Sequence, residues 1–153
     1  MHARIDLPED GATPAAIAAK IVHPERVVVS WNGDGCFQMN GQEIATAVQY
    51  SANVIFIVVD NGMYGTIRMH QERHFAGRSH GTALQNPDFA ALALAYGGQG
   101  YTVKHSAEFE PALTAALAFA RSQRLPALIE LQVDPQLITP GQSIADLQAR
   151  SAA

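Results

Sequence analysis

The stretch that decides the fold is residues 27–65, VVVSWNGDGCFQMNGQEIATAVQYSANVIFIVVDNGMYG. It contains two short apolar runs, Val27–Trp31 and Val54–Val59, and each run leads into a polar, glycine-rich turn. Short β-branched runs that end in such turns are typical of buried strands in a parallel sheet. Residues 40–51 between them predict a helix. The two turns should therefore lie at the same carboxyl edge of one sheet, where open α/β sheets bind ligands.

The predicted helix begins with a spacing that favours a capping box. Asn40 and Glu43 stand at the N-cap and N3 positions, where their side chains can accept from the first free N–H groups. We interpret Glu43 as part of this cap rather than as a catalytic acid. Trp31 and Phe37, which lie near the turn before the helix, are predicted to be core residues.

The two turns carry the ligand types that Mg²⁺ prefers. Asp34 offers a carboxylate oxygen, and Asn61, which follows 27 residues later, offers an amide oxygen. Glycines let backbone N–H groups approach an anion without a Cβ in the way, and the turns contain Gly33, Gly35, Gly62 and Gly65. Such groups, completed by ligand phosphates and water, are a usual environment for Mg²⁺. The sequence therefore predicts a phosphate or diphosphate site bridged by Mg²⁺.

These motifs resemble the diphosphate-binding signature of thiamine-diphosphate enzymes. The segments GDGCFQMNGQEIATAVQY and VDNGMYGTIRMHQER are most similar to the acetolactate synthase group, and the similarity continues through TALQNPDFAALALAYG and PALIELQVD. The resemblance implies thiamine diphosphate and Mg²⁺ as cofactors. It also implies that Asp34, Asn61 and the backbone carbonyl of Met63 bind the metal ion. The family has Asn before the second of these ligands, whereas this chain has Asp60.

The resemblance also implies a set of cofactor-binding residues in the two turns: Gly33, Asp34, Gly35, Cys36, Asn61, Met63, Tyr64, Gly65 and Thr66. We expect Cys36 to contribute its backbone N–H rather than act as a nucleophile, since no His lies nearby in sequence. Met63 and Tyr64 are expected to act through backbone groups, and Gln38 could contact either substrate or solvent. No catalytic residue is predicted, because the family's catalytic glutamate belongs to a separate pyrimidine-binding domain.

By resemblance, the full enzymes decarboxylate a 2-oxo acid and often join the product to a second carbonyl compound, as lyases or transferases. We interpret the chain as the Mg²⁺-dependent, thiamine-diphosphate-binding C-terminal domain of an acetolactate synthase-like enzyme. It would need a pyrimidine-binding domain or subunit for activity, so the chain alone is not expected to be a competent enzyme. Two alternatives stay open: a diphosphate-binding subunit of a split decarboxylase, and a non-catalytic dimerisation remnant.

Composition narrows the class of protein. The 153 residues are 48% hydrophobic and 16% charged, which suits one domain with a buried core. The net charge of −4 and the lack of a basic face argue against nucleic acid as a partner. The single cysteine fits a reducing cytoplasm, and no apolar run reaches membrane-spanning length. Apolar helix surfaces favour a homodimer or larger homo-oligomer.

The alternation of four strands with helices predicts a three-layer α/β/α fold with a mainly parallel sheet. We divide the chain into an irregular segment at 1–13, the binding domain at 14–135, and a tail at 136–153 that holds a short helix near Ile144–Ala149. The Gly-rich loop that precedes the domain's first helix in the family is not matched here. We therefore expect a fragment or a truncated gene product.

Two prolines mark predicted helix starts. Thr13 and Asn86 precede Pro14 and Pro87, as N-cap residues precede a proline at the first helical position. The remaining strands are predicted at 99–103 and 127–133.

The segment at 68–80 is rich in histidine and arginine. One interpretation is a solvated, mobile segment, and another is a substrate-facing segment, because this region helps to close the diphosphate site in the family. A third is a metal site at His70 and His74, which are four residues apart. No third ligand has convincing spacing for that site.

Overall fold

The computed structural model of the protein describes residues 11–139 and 141–151. Most of the irregular segment predicted at 1–13 lies outside the described residues. Residues 12 and 13, however, already belong to the first helix, whose N-cap is Gly11. The domain boundaries drawn from the sequence stay predictions.

The helices and strands follow the predicted alternation over most of the chain. In chain order they are α1 (Ala12–Val22), β1 (Val29–Gly33), α2 (Asp34–Asn40), α3 (Ile44–Gln49), β2 (Ile55–Asp60), α4 (Gly65–His74), α5 (Phe89–Ala95), β3 (Gln99–Val103), α6 (Phe109–Gln123), β4 (Ala127–Gln132), β5 (Leu137–Thr139), β6 (Gln142–Ser143) and α7 (Ile144–Ser151). Single-turn 3₁₀ helices precede α3 and α6.

Strands β1 to β4 form one sheet in the order β1-β2-β4-β3, and all of its pairings are parallel. Strand β2 lies in its interior, and Ile55–Val58 are buried, as expected of a β-branched run in a parallel sheet. Helices cover both faces of this sheet. The predicted three-layer α/β/α fold is therefore confirmed.

The core is divided between the two faces of the sheet. On one face, the Phe37 ring packs edge-on against Phe89, with ring centroids 5.6 Å apart, and against Phe56. On the other face, α6 packs its alanines against buried isoleucines of the strands. Burying each large apolar side chain contributes about 1.5–3 kcal/mol. Phe37 is fully buried, as predicted.

The prediction that Trp31 belongs to the core is wrong, because 61% of its surface is exposed. In the described part of the chain, β1 is a terminal strand of the sheet. Its side chains alternate between buried and exposed positions. Helix α6 packs against β2, β3 and β4, so the face of β1 that carries Trp31 extends beyond the cover that α6 provides.

The capping box predicted at Asn40 and Glu43 is also wrong. The chain is helical from Asp34 onward, directly after the extended Gly33, so Asn40 is both the last residue of α2 and the N-cap of the 3₁₀ turn that follows. Within the described residues, the Asn40 side chain makes no capping bond to the 3₁₀ turn that follows. Glu43 instead accepts a hydrogen bond from the Thr46 hydroxyl at 2.7 Å.

The other two predicted caps are displaced by two residues. Thr13 lies inside α1 and is buried, with its hydroxyl 3.4 Å from Asn32 Oδ1. At α5 the cap is Asp88, whose carboxylate accepts from the backbone N–H of Ala91 at 2.8 Å. Asn86 is free of the capping role because its side chain points to the end of the sheet.

The first part of the histidine- and arginine-rich segment at 68–80 is helical, and most of the segment is exposed apart from Glu72. Residues 65–74 form α4, which packs against α7 from the predicted tail. Glu72 on α4 is 1% exposed, and its Oε2 accepts from Gly77 N at 2.7 Å and from Gln148 Nε2 on α7 at 3.1 Å. The short helix predicted near 144–149 is therefore present as α7. No described helix is long and apolar enough to span a membrane.

Candidate functional site

The two polar turns meet at the carboxyl edge of the sheet, where its strands end. Strands β1 and β2 are neighbours in parallel register, with Gly33 opposite Val59, so the turns that follow them lie side by side. The backbone N–H of Gly62, in the second turn, donates to Asp34 Oδ2 in the first turn at 2.9 Å. This bond joins two motifs that are separated by a helical segment in the sequence.

A cleft of about 360 Å³ lies against the two turns, and we call it the two-turn cleft. Its lining includes all nine residues predicted to bind cofactor: Gly33, Asp34, Gly35, Cys36, Asn61, Met63, Tyr64, Gly65 and Thr66. The structure therefore brings the predicted set together around one space. Their roles toward a cofactor stay predictions.

The N-terminus of α4 opens into the two-turn cleft. Gly65, Thr66 and Ile67, which form the first turn of α4, line it. The N-cap residue Tyr64 makes no side-chain bond to the helix within the described ranges. The first N–H groups of a helix have no partner inside the helix and carry its positive dipole end, so they attract an anion.

Two glycines permit the close approach of the turns. A Cβ on Gly35 would lie 2.4 Å from Cε1 of Tyr64, so the aromatic ring can pack there only against a glycine. Gly62 has a φ of +66°, a left-handed conformation that glycine adopts without a steric penalty. The shape of the cleft thus depends on residue types that the sequence places in both turns.

Asp34 is the most buried charged group of the cleft, with 3% of its surface exposed. Its Oδ1 accepts from Gly35 N at 2.9 Å, and its Oδ2 accepts from Asn86 Nδ2 at 2.7 Å and from Gly62 N. Burial raises the pKa of Asp34, the hydrogen bonds from Asn86 and Gly35 oppose that rise, and the charge of Asp60 adds to it. A bound cation would favour the ionised carboxylate.

Asn61 shapes the second turn. Its Oδ1 accepts from the backbone N–H of Met63 at 3.1 Å, which closes a small side-chain-to-backbone turn. Asp34, Asn61 and the Met63 carbonyl supply carboxylate, amide and peptide oxygens, and hard oxygen ligands of this kind suit Mg²⁺. This donor set fits a Mg²⁺ ion whose coordination is completed by phosphate oxygens and water.

The histidine alternative gains no support. His70 and His74 are both exposed on α4. In the part of the chain that the structure describes, no group of three or more His, Cys, Asp or Glu side chains could hold a metal ion.

Asn86 is the residue at this edge that the sequence analysis missed. Its amide nitrogen lies 2.7 Å from Asp34 Oδ2 and 2.6 Å from Asp60 Oδ1. Gln38, which could have contacted either substrate or solvent, donates to the other end of the Asn86 amide at 2.7 Å. The pattern Asn-Pro-Asp fits two cap positions equally well, so the local sequence gave no signal for this contact.

The predicted tail also contributes to the cleft. Leu137, Ile138 and Thr139 of β5 line it opposite the turns. A short apolar run after the Asp134-Pro135 turn was the available signal in the sequence, but nothing local indicated where the run would pack.

The chain matches the model of the thiamine pyrophosphate enzyme C-terminal TPP-binding domain family over residues 11–131. It belongs to this family. The resemblance found in the sequence is thereby confirmed, and thiamine diphosphate is the cofactor that the family binds.

Acetolactate synthases are among the individual proteins that the chain resembles. The acetolactate synthase isozyme 3 large subunit of Escherichia coli (strain K12) is 38% identical over 122 residues, which cover 79% of this chain and 21% of that protein. The acetolactate synthase large subunit of Pyropia yezoensis is 34% identical over 141 residues, covering 88% and 23%.

A solved structure gives the same assignment. The thiamine diphosphate-dependent 4-hydroxybenzoylformate decarboxylase of Rhodococcus jostii RHA1 superposes with a TM-score of 0.72 at 32% identity. The match covers 80% of this chain and 23% of that one. The chain spans about a fifth to a quarter of the length of the curated relatives that it matches.

Proposed function

We propose that this chain binds the diphosphate of thiamine diphosphate together with Mg²⁺ in the two-turn cleft. Asp34, Asn61 and the Met63 carbonyl would hold the ion. The observation that carries the proposal is the bond from Gly62 N to Asp34 Oδ2, which joins the two turns beside the N-terminus of α4. The proposed cation site and the proposed anion site would therefore lie next to each other, as a metal diphosphate requires.

Different groups would bind the ion and the phosphates. Asp34 supplies the negative charge, and its burial makes that charge strongly attractive to a divalent cation because little water screens it. The N–H groups that begin α4 would donate to the phosphates. Tyr64, packed against Gly35, would keep the first turn in place. Thiamine diphosphate supplies the carbanion chemistry of 2-oxo acid decarboxylation and carboligation when it is bound.

We further propose that the domain acts in an acetolactate synthase-like enzyme, as the names of its relatives suggest. A pyrimidine-binding domain or subunit would supply the part of the site that contacts the aminopyrimidine ring. Pairing with a second copy is supported by exposed apolar side chains such as Trp31 and Val29. A cytoplasmic location stays an expectation based on the single cysteine.

Thermal unfolding of the full chain tests the proposal. Mg²⁺ and thiamine diphosphate together should raise the Tm, while either one alone should have little effect, because each completes the binding of the other. At 100 times the Kd, a ligand that binds only the folded state contributes about 2.7 kcal/mol, which corresponds to about 5–10 °C for a domain of this size.

Thiamine, which lacks the diphosphate, is the matched control, and with Mg²⁺ it should leave the Tm unchanged. Equal stabilisation by thiamine diphosphate in the presence of a chelator would contradict the proposed metal site.

A further inference from the structure

Asn86 connects the two motif turns although it belongs to neither. Its Nδ2 atom lies between two carboxylates, 2.7 Å from Asp34 Oδ2 and 2.6 Å from Asp60 Oδ1. Carboxylates accept hydrogen bonds and cannot donate them when ionised, so the NH₂ end of the amide must face them. The opposite end, Oδ1, accepts from Gln38 Nε2 at 2.7 Å, which fixes the orientation of the amide from the other side.

The two carboxylates that share Asn86 face different spaces. Asp34 lines the two-turn cleft. Asp60 lines a neighbouring hollow of about 380 Å³, together with Asn86 and Glu130. Besides Asn86, the N–H of Gly62 also donates to both, at 2.9 Å to Asp34 and 3.0 Å to Asp60. Two donors are therefore shared by two carboxylates whose charges would otherwise repel each other at close range.

The backbone around Asn86 is held to the second turn. Tyr64 N donates to Thr82 O, and Leu84 N donates to Gly62 O, both at 2.8 Å. On the other side, Asp88 caps α5, which packs against β3 and β4. Asn86 thus projects from a segment that is fixed at both ends, and a residue placed in this way can orient a metal ligand.

We propose that Asn86 is a positioning residue that holds the Asp34 carboxylate in the two-turn cleft and offsets its repulsion with Asp60. This arrangement would let a chain with Asp at position 60 bind Mg²⁺ with Asp34 as the only carboxylate ligand, beside Asn61 and the Met63 carbonyl. The inference rests on the proposed function, because the ion whose ligand Asn86 positions is the Mg²⁺ of that site.

The position-60 carboxylate makes the inference testable by a double-mutant cycle. Asn86→Ala removes one of the two shared donors and leaves the two carboxylates sharing the N–H of Gly62. Asp60→Asn removes the second charge, and the amide that it introduces can donate to Asp34 Oδ2 in place of Asn86. A positioning role therefore predicts that the effect of Asn86→Ala depends on the residue at position 60, whereas a purely structural role predicts additive effects.

The experiment is a calorimetric titration of Mg²⁺ into the full chain at saturating thiamine diphosphate. Asn86→Ala should weaken Mg²⁺ binding about 10- to 100-fold, the usual cost of losing a residue that orients a metal ligand. Asp60→Asn alone should change the affinity by less than about threefold. The double variant should regain about tenfold over Asn86→Ala. Asn53→Ala is the matched control, since Asn53 Nδ2 donates to Ala120 O far from the cleft, and it should bind Mg²⁺ as the unsubstituted chain does.

The outcomes separate this inference from the proposed function. If the unsubstituted chain shows no Mg²⁺-dependent binding of thiamine diphosphate, the proposed function fails and the inference falls with it. If that chain binds and Asn86→Ala binds Mg²⁺ equally well, or if Asp60→Asn restores nothing, the inference alone is overturned. Should Asn86→Ala not fold by circular dichroism, the double variant decides: a folded double variant that binds Mg²⁺ supports positioning, and an unfolded or non-binding one overturns it.

Discussion

The carboxyl edge of the sheet, where its parallel strands end, and the amino edge, where they begin, differ in the helix termini that lie beside them. Helices α2, α4 and α5 begin at the carboxyl edge, and α1, α3 and α6 end at the opposite, amino edge. The balance of charge also differs. The carboxyl edge carries four acids, Asp34, Asp60, Asp88 and Glu130, beside Lys104, and a cavity at the amino edge is lined by four cations, Lys20, Arg26, Arg121 and Arg124, beside Glu25.

The two edges also differ in the size and the surroundings of their cavities. The amino-edge cavity, at about 500 Å³, is larger than the two-turn cleft. Its cations, however, lie near helix C-termini, whose carbonyl oxygens they can satisfy. Lys20 Nζ, for example, lies in the last turn of α1 and donates to the backbone oxygen of Pro24, just beyond the end of the helix, at 2.9 Å. At the carboxyl edge, the α4 N-terminus faces an open cleft instead.

The largest expected effect is the loss of ligand binding at the carboxyl edge. Asp34→Ala should abolish the rise in Tm caused by Mg²⁺ with thiamine diphosphate, because it removes the one carboxylate that faces the cleft in the proposed metal site. The apo fold should persist, since Asp34 lies at the first turn and not in the apolar core. Asn61→Ala should reduce the rise without abolishing it, because a neutral oxygen attracts Mg²⁺ less strongly than a carboxylate does.

Differential scanning fluorimetry of both variants with and without ligand measures this. An Asp34→Ala chain that is stabilised as much as the unsubstituted chain would refute the assignment of the metal site.

The second prediction concerns the other end of α4, where Glu72 joins it to α7. The backbone N–H of Gly77, the Gln148 amide and the Arg68 charge lower the pKa of Glu72, with the first contributing most. A lowered pKa means that folding favours the ionised form. Its stabilisation is therefore complete above the unfolded-state value of 4.5 and is lost as the pH falls through the lower folded-state value.

Glu72→Gln should consequently lower the free energy of unfolding at pH 7 by about 1–3 kcal/mol, the usual worth of hydrogen bonds to a buried charge. The difference between the two chains should shrink as the pH is lowered below the unfolded-state value. Chemical denaturation across this pH range checks the sign. Glu110→Gln, on the exposed start of α6, is the control and should change stability by less than about 0.5 kcal/mol. A Glu72→Gln deficit that grows at low pH would contradict the mechanism.

The sequence was informative where local pattern and final environment agree. Strand β2 is apolar from Ile55 to Val59 and lies inside the sheet, buried along most of its length, so its pattern alone predicted a strand. The two turns were predictable for the same reason, because their glycines and ligand residues follow directly after strands. The nine predicted cleft residues are accordingly together in space.

Local sequence patterns did not predict the environment of a residue where contacts with distant parts of the chain determine it. Trp31 belongs to an apolar run that has the same local pattern as a buried strand, and only the extent of α6 leaves it exposed. Asn86 lies 52 residues from Asp34, and no local signal could separate its contact with the carboxylates from a helix cap. The placement of Leu137–Thr139 against the cleft likewise depends on how α7 packs on α4.

The smallest expected effect concerns Arg124 at the amino edge. Arg124 follows the last residue of α6 in a left-handed conformation, with φ at 59°. A side chain in this conformation costs about 1 kcal/mol that glycine avoids. Arg124→Gly removes this strain and also removes a cation near a helix C-terminus, where it contributes about 0.3–1 kcal/mol. The net result should be stabilisation by a few tenths of a kcal/mol, or about 1–2 °C in Tm.

Arg121→Gly is the matched control, because Arg121 lies in the last turn of α6, where glycine costs about 1 kcal/mol. The same substitution three positions apart should therefore change the Tm in opposite directions. Neither variant should alter the further rise in Tm caused by Mg²⁺ with thiamine diphosphate, since both positions line the amino-edge cavity and not the two-turn cleft. A lower Tm for Arg124→Gly would mean that the guanidinium contributes more at this edge than the backbone strain costs.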